Sequence, residues 1–313
     1  MRVLVTGGSG FIGSHVVDKL IERGVTARVF DLVPPTYSKE AEYYQGSVLS
    51  VQELRAGMAG CDAVMHLAAV ADVKSVFEDP HYSENINVRG TANVLEAMHK
   101  SGLRRIVYGS TTWVYSDTAG QEVDEDTPLG MPSHLYTATK LAGESYCKAY
   151  AELYGFETTV LRYGIPYGPR ARAGAVVPIF VKKALAGEPL TIAGDGKQFR
   201  KFVYVEDLAE GNVLGLKASA IGRTYNLDGR QQVTIKEIAE TVAKIVGDVD
   251  IEYIEARPGD FSGKDIDSSR AEKELGWIPQ TSFEEGVRRY VEWVNTVEIA
   301  RSDQWATVAK ELL

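Results

Sequence analysis

Val3-Leu4-Val5-Thr6-Gly7-Gly8-Ser9-Gly10-Phe11-Ile12-Gly13-Ser14-His15 lies at the start of the chain, and its reading decides the fold. The β-branched, apolar run Val3–Thr6 predicts a buried strand, and the pattern from Phe11 to Arg23 predicts a helix. Glycines at 7, 10 and 13 join the two. Each meets a separate need. Gly7 permits a tight turn, Gly10 lets backbone approach a pyrophosphate, and Gly13 lets helix and strand pack closely. The free N–H groups at the helix N-terminus would then face the anion. A P-loop would need Gly-Lys-Ser/Thr, which is absent.

A glycine triplet alone describes many turns. Here a second strand is predicted over Ala27–Asp31, completing a βαβ unit. Its last residue, Asp31, stands 18 positions after Gly13, where a carboxylate reaches an adenosine ribose. The same carboxylate would repel a 2′-phosphate, and no Lys or Arg stands at Ser9, Leu32 or Val33 to hold one. The expected dinucleotide is therefore NAD.

The alternation continues outward from this unit. Strands are predicted at Ala63–Leu67, Arg105–Tyr108 and Thr158–Tyr163, with helices at Val51–Met58, Ser83–Ser101 and Ser133–Tyr154. Strands alternating with helices imply an α/β fold of Rossmann type, a doubly wound parallel sheet covered on both faces. After Tyr163 the turn-rich Gly164-Ile165-Pro166-Tyr167-Gly168-Pro169 breaks the pattern. Shorter elements follow near Val177–Ala186, Leu190–Ile192, Val205–Leu216, Thr234–Val246 and Ile251–Ile254, with a helical stretch from Ser282. We expect a dinucleotide domain over 1–165, with segments returning near 201–230, and a smaller C-terminal substrate-binding lobe over 166–313.

Composition limits the function classes. With 313 residues and a net charge of −9, the chain lacks the basic footprint of a nucleic-acid binder. It has two cysteines, Cys61 and Cys147, with no Cys/His cluster, so neither a disulfide framework nor a metal site is expected. No apolar run approaches the roughly 18 residues that span a membrane. No leader-like apolar segment precedes Val3, and the default expectation is a cytoplasmic protein with no membrane partner.

Tyr136 and Lys140 are four apart, on one face of a predicted helix. A neighbouring ammonium and a positive nicotinamide ring would favour the phenolate. Tyr136 could then accept a proton from an alcohol while hydride leaves to NAD. Ser110-Thr111-Thr112 follows a predicted strand at its carboxyl end, where ligands bind in such sheets. His66-Leu67-Ala68-Ala69 offers a small-residue wall, and His66 itself reads as a buried, hydrogen-bonded residue.

These segments, taken together, resemble the extended short-chain dehydrogenases/reductases, in the branch of NAD-dependent nucleotide-sugar epimerases and dehydratases. TGGSGFIGSH at 6–15, HLAA at 66–69, NVRGTANVLEA at 87–97, STTWVY at 110–115, YTATK at 136–140 and LRYGIPYGP at 161–169 carry the likeness. GDGKQFRKFVYVEDLA at 194–209, RPGD at 257–260 and LGW at 275–277 extend it. The resemblance implies Tyr136 as acid/base, Lys140 as its orienter and Thr111 as a supporting hydroxyl. It implies cofactor contacts from Gly7, Gly10, Phe11, Ile12, Gly13, Asp31, Leu32, Ser47, Val48, Leu67, Ala68, Ala69, Ser110, Tyr136, Lys140 and Tyr163. Substrate contacts would come from Thr111, Thr112, Tyr136, Val176, Arg200, Arg257 and Asp260, the arginines clamping a diphosphate. A homodimer paired through the helices holding Asn87–Met98 and Tyr136–Tyr150 is also implied.

Where dehydratases and decarboxylases of this branch carry an acid, this chain has Thr112 and Trp113. That favours a nucleotide-sugar 4-epimerase, with UDP-glucose/UDP-galactose the leading pair. A nucleotide-sugar reductase and a UDP-uronate 4-epimerase are the alternatives. The chain departs from the family pattern at Ser47, Gly164, Ile165, Lys201 and Lys264. A tail helix over Val297–Leu313 is expected to serve packing or a dimer edge.

Overall fold

Buried strand ends set the position of everything else in the computed structural model, which describes residues 1–247, 249–255 and 264–311. Seven strands form one parallel sheet. Their order is Arg223–Leu227, Glu157–Tyr163, Arg105–Thr111, Ala63–His66, Arg2–Thr6, Thr26–Asp31 and Glu42–Gln45. The order in which strands are added switches sides at Arg2–Thr6, and because every pairing is parallel all carboxyl ends share one edge, where α/β sheets bind ligands. Registers such as Thr6 with His66 and Thr111 with Tyr163 bring the expected site residues to that edge.

Two apolar layers sandwich the sheet. One gathers Val16, Val17 and Leu20 of the first helix with Val203, Leu208, Tyr225 and Trp277. The other gathers Leu54, Met58, Val94, Leu95, Met98 and Cys147. A third cluster lies in the C-terminal part, where Tyr167, Phe180, Ile192, Phe202, Ile238 and Val287 pack together. It is framed by the helices Val176–Leu185, Ile235–Val246 and Phe283–Glu311. The strand Arg223–Leu227 joins the large sheet although its sequence lies among C-terminal elements.

Several elements differ from the sequence reading, which placed no strand at Ile165–Tyr167, Phe199–Tyr204 or Arg223–Leu227. The strand predicted to stop at Tyr108 runs to Thr111, because all seven of its residues are buried. Glu42–Gln45 adds an edge strand that its short, alternating pattern hid. The helix expected over Ser83–Ser101 is divided, with a π turn at Asn85–Arg89 between Pro80–Glu84 and Gly90–Lys100. Such turns concentrate at functional sites.

Glu144 sits one turn after Lys140 on the helix Leu135–Tyr154 and is held behind the sheet edge by Arg162. Arg162 donates Nε to Oε1 (3.0 Å) and Nη2 to Oε2 (2.7 Å) of Glu144. Ser110 Oγ donates to the same carboxylate at 2.5 Å. Removing one partner would strand the other charge in a low-dielectric interior. Arg162→Leu is expected to cost about 3–5 kcal/mol of unfolding free energy. The double variant with Glu144→Leu should recover a large part, as urea titration can measure.

Candidate active site

The common carboxyl edge opens into a cavity of about 600 Å³. Gly7, Gly10, Phe11, Ile12 and Gly13 form its floor. The floor is tight because backbone meets backbone: a Cβ on Gly13 would lie 2.1 Å from the Gly7 carbonyl oxygen. The helix N-terminus is thereby pressed against the first strand, leaving N–H groups to face the cavity.

At one end stand Asp31, Leu32, Gly46, Ser47 and Val48. Asp31 Oδ2 accepts the Ser9 N–H at 3.1 Å, so the glycine loop itself orients this carboxylate. Ser47 is engaged locally, with its N–H given to Glu53 (2.8 Å) and its Oγ accepting the Leu49 N–H (3.2 Å). Leu67, Ala68 and Ala69 line the middle. They follow His66, a buried histidine bridged between Thr6 Oγ1 (2.7 Å) and Thr91 Oγ1 (3.0 Å). Burial lowers the His66 pKa to about 3, so the ring stays neutral.

Ser110, Thr111, Tyr136, Lys140 and Tyr163 close the other end. The Thr111 hydroxyl faces the Tyr136 phenol and favours its ionised form. Lys140 Nζ donates to the Gly109 carbonyl (2.7 Å) and lies 5.0 Å from the Tyr108 ring centroid. Burial pushes the Tyr136 phenol up to about 12 and brings the Lys140 ammonium down to about 8. A bound cation at this end would oppose the first shift by favouring the phenolate. His134 Nδ1 accepts the Tyr136 N–H at 3.1 Å, capping the helix at the point where the tyrosine leaves it.

Not every expected residue reaches this cavity. Thr112 is buried at the start of the turn Thr112–Tyr115, and its neighbour Trp113 takes the cavity wall instead. Val176 packs on the C-terminal core, and Ala175 lines the cavity in its place. Arg200 lies on the strand Phe199–Tyr204, outside the lining, with Nη1 donating to Phe199 O at 2.7 Å. Arg257 and Asp260 lie outside the described residues.

Two charged residues line the cavity that the sequence reading did not select. Arg172 and Asp72 form an ion pair at 2.8 Å, and both border the cavity. Arg172 is aimed by a pinned loop. His15 Nε2 hydrogen-bonds Pro169 O at 2.9 Å, and Arg170, at φ 67°, pairs with Asp18 at 2.7 Å. Asn87 is a further structural contributor. Its amide bonds both N–H and C=O of Val70 and reaches Thr139 Oγ1, tying the cavity wall to the Tyr136 helix. Spacing signals could not reveal these contacts, which join segments far apart in sequence.

The glycine floor, the acid at one end and the Tyr–Thr–Lys group at the other fit an NAD molecule along the cavity. Fold and site together define a nicotinamide-dinucleotide enzyme of the extended short-chain dehydrogenase/reductase type. The chain belongs to the NAD dependent epimerase/dehydratase family, whose model matches residues 3–228. It is 32% identical over 310 residues to the UDP-glucose 4-epimerase of Mycolicibacterium smegmatis, covering 94% of this chain and 98% of the relative. The Thermotoga maritima UDP-glucose 4-epimerase with UDP-glucose superposes with TM-score 0.88 at 32% identity, covering 95% and 99% of the two chains. The Bacillus cereus UDP-glucuronic acid 4-epimerase, in complex with UDP-glucuronic acid and NAD, gives 0.85 at 29% identity, covering 95% and 100%. The enzyme is NAD-dependent, and the relatives act on UDP-sugars.

Among described residues, no helix is long and apolar enough to cross a membrane. Asp31→Ala should weaken NAD binding by roughly 10- to 100-fold, the worth of a hydrogen bond to a charged group. It should narrow the preference for NAD over NADP, since the repelling charge is gone. Calorimetric titration with both nucleotides checks this.

Proposed function

We propose that the chain is a nucleotide-sugar 4-epimerase acting on a UDP-hexose, with UDP-glucose and UDP-galactose as the leading pair. One observation carries the reading. The reactive end of the cavity presents Thr111, Tyr136 and Lys140 with Trp113, and no carboxylate stands beside them among the described lining residues. The acids in the lining are Asp31, at the far end, and Asp72, paired with Arg172. Elimination or decarboxylation would draw on an acid at that place. Inversion needs only a base, its support and a hydride store.

NAD, when bound, supplies the acceptor and donor of hydride at C4 of the sugar. Tyr136 takes the proton of the C4 hydroxyl and later returns it. Thr111 shares the reacting oxygen's hydrogen bond and holds the phenol in place. Lys140, fixed on the Gly109 carbonyl, contributes positive charge that favours the phenolate. The family pattern assigns Arg200 and Arg257 to the nucleotide and diphosphate, as a bidentate clamp, and Asp260 to the ribose.

A UDP-uronate is the second reading, favoured by Arg172 at the cavity wall. A sugar carboxylate would have to displace Asp72 from that guanidinium, which is why the neutral hexose leads.

The test is a panel of UDP-sugars incubated without added NAD, with products separated by chromatography. UDP-glucose and UDP-galactose should interconvert with no net change in nicotinamide absorbance. Tyr136→Phe should slow this by about 10²- to 10⁴-fold while NAD binding persists. Conversion of UDP-glucuronate alone would replace the leading pair with the second reading.

A further inference from the structure

The strands Glu157–Tyr163 and Arg223–Leu227 end side by side, with Tyr163 opposite Leu227. The next residues are Gly164 and Asp228, and the Gly164 N–H donates to the Leu227 carbonyl at 2.9 Å. Gly164 lines the dinucleotide cavity between Tyr163 and Ile165. Asp228 stands behind it and is 3% exposed. A Cβ at position 164 would fall 1.9 Å from Asp228 Oδ1. The carboxyl group thus fills the volume that a side chain at 164 would occupy. Only glycine backbone separates it from the reactive end.

Little in its surroundings neutralises this group. Oδ1 accepts the Gly229 N–H at 2.8 Å. Lys201, the cation that acts on it, is ion-paired with Asp265 and donates to Ile266 O at 3.0 Å. On the far side Asp228 borders a second, polar cavity together with Glu122, Lys201, Arg230, Asp265, Asp267 and Glu272. On the near side stands Tyr163, whose hydroxyl donates to Asn212 Oδ1 at 2.5 Å. Burial raises the Asp228 carboxyl to about 7, so it changes charge near neutrality.

We propose that Asp228 acts through Gly164 on the nicotinamide end of the bound dinucleotide, its carboxylate favouring the positively charged oxidised ring over the neutral reduced one. This rests on the placement of NAD argued above. A negative charge behind a thin wall stabilises a cation on the other side. A bias toward the oxidised form suits an enzyme that must give its hydride back in every turnover. Asp228 is a positioning and tuning residue here, since it does not line the dinucleotide cavity. The same packing explains why position 164 is glycine.

The test reads binding rather than turnover. Purified protein is equilibrated with defined NAD⁺/NADH mixtures at pH 6 and pH 8, and the bound ratio is measured by chromatography. In the wild type, preference for NAD⁺ should rise at least about threefold with pH, as the carboxyl ionises. Lys140 loses its charge in an overlapping range and acts in the same direction, so the variants isolate Asp228. Asp228→Asn and Asp228→Ser should lose most of the rise. Thermal melting checks that they fold: Asp228→Asn should melt higher than wild type at pH 8, where the wild type buries a charge, and the gap should narrow as pH falls, closing only below the ordinary carboxyl value where the unfolded chain is protonated too. A wild-type ratio that does not move with pH overturns the proposal, as does an unchanged rise in a folded variant. Failure to bind either nucleotide would instead overturn the placement of NAD.

Discussion

A backbone contact governs this structure: the first helix lies so close to the first strand that only hydrogen fits at Gly13, against the Gly7 carbonyl. That closeness directs the helix N-terminus at the carboxyl edge of the sheet. It also places Ser9 where its N–H meets Asp31, so one loop arranges both the anion site and the ribose acid. Strand order then does the rest. With all seven strands parallel, the ends carrying Thr111, Tyr163 and Leu67 converge on the same cavity.

A buried polar network ties the reactive end to the C-terminal part of the molecule. It runs from Ser110 to Glu144, Arg162, Tyr115 and Asn226. Asn226 continues it by donating Nδ2 to the Asp267 carbonyl and its N–H to Glu125. Each member satisfies another, which is what permits charge in this interior. The network fixes the last residues of the strand Arg105–Thr111 and the helix bearing Tyr136 relative to each other. Proton transfer depends on such fixed geometry, since small misplacements of reacting groups slow it severely.

Much of this was legible in the sequence, and the limits have physical causes. The glycine loop, Asp31 and the Tyr136/Lys140 pair were readable because local spacing dictates them. Arg172 and Asp72 were not, because their meeting depends on a loop clamped by His15 and Asp18 from a distant helix. The edge strand Glu42–Gln45 escaped because four alternating residues carry little signal. Gly164 was noticed as a departure, but its cause lay 64 residues away in sequence, in the carboxyl of Asp228. Thr112 and Thr111 look alike in sequence. The turn at Thr112–Tyr115 separates them by placing Thr111 and Trp113 at the cavity wall and Thr112 away from it.

The central claim is that hydride leaves and returns to the same sugar carbon within one closed site. UDP-galactose labelled with deuterium at C4 tests it most directly, with product examined by mass spectrometry and NMR. The account predicts UDP-glucose that keeps the label at C4, with none passed to solvent or to free nucleotide. Epimer formed with loss of the label, or keto sugar released with stoichiometric reduced nicotinamide, would contradict it.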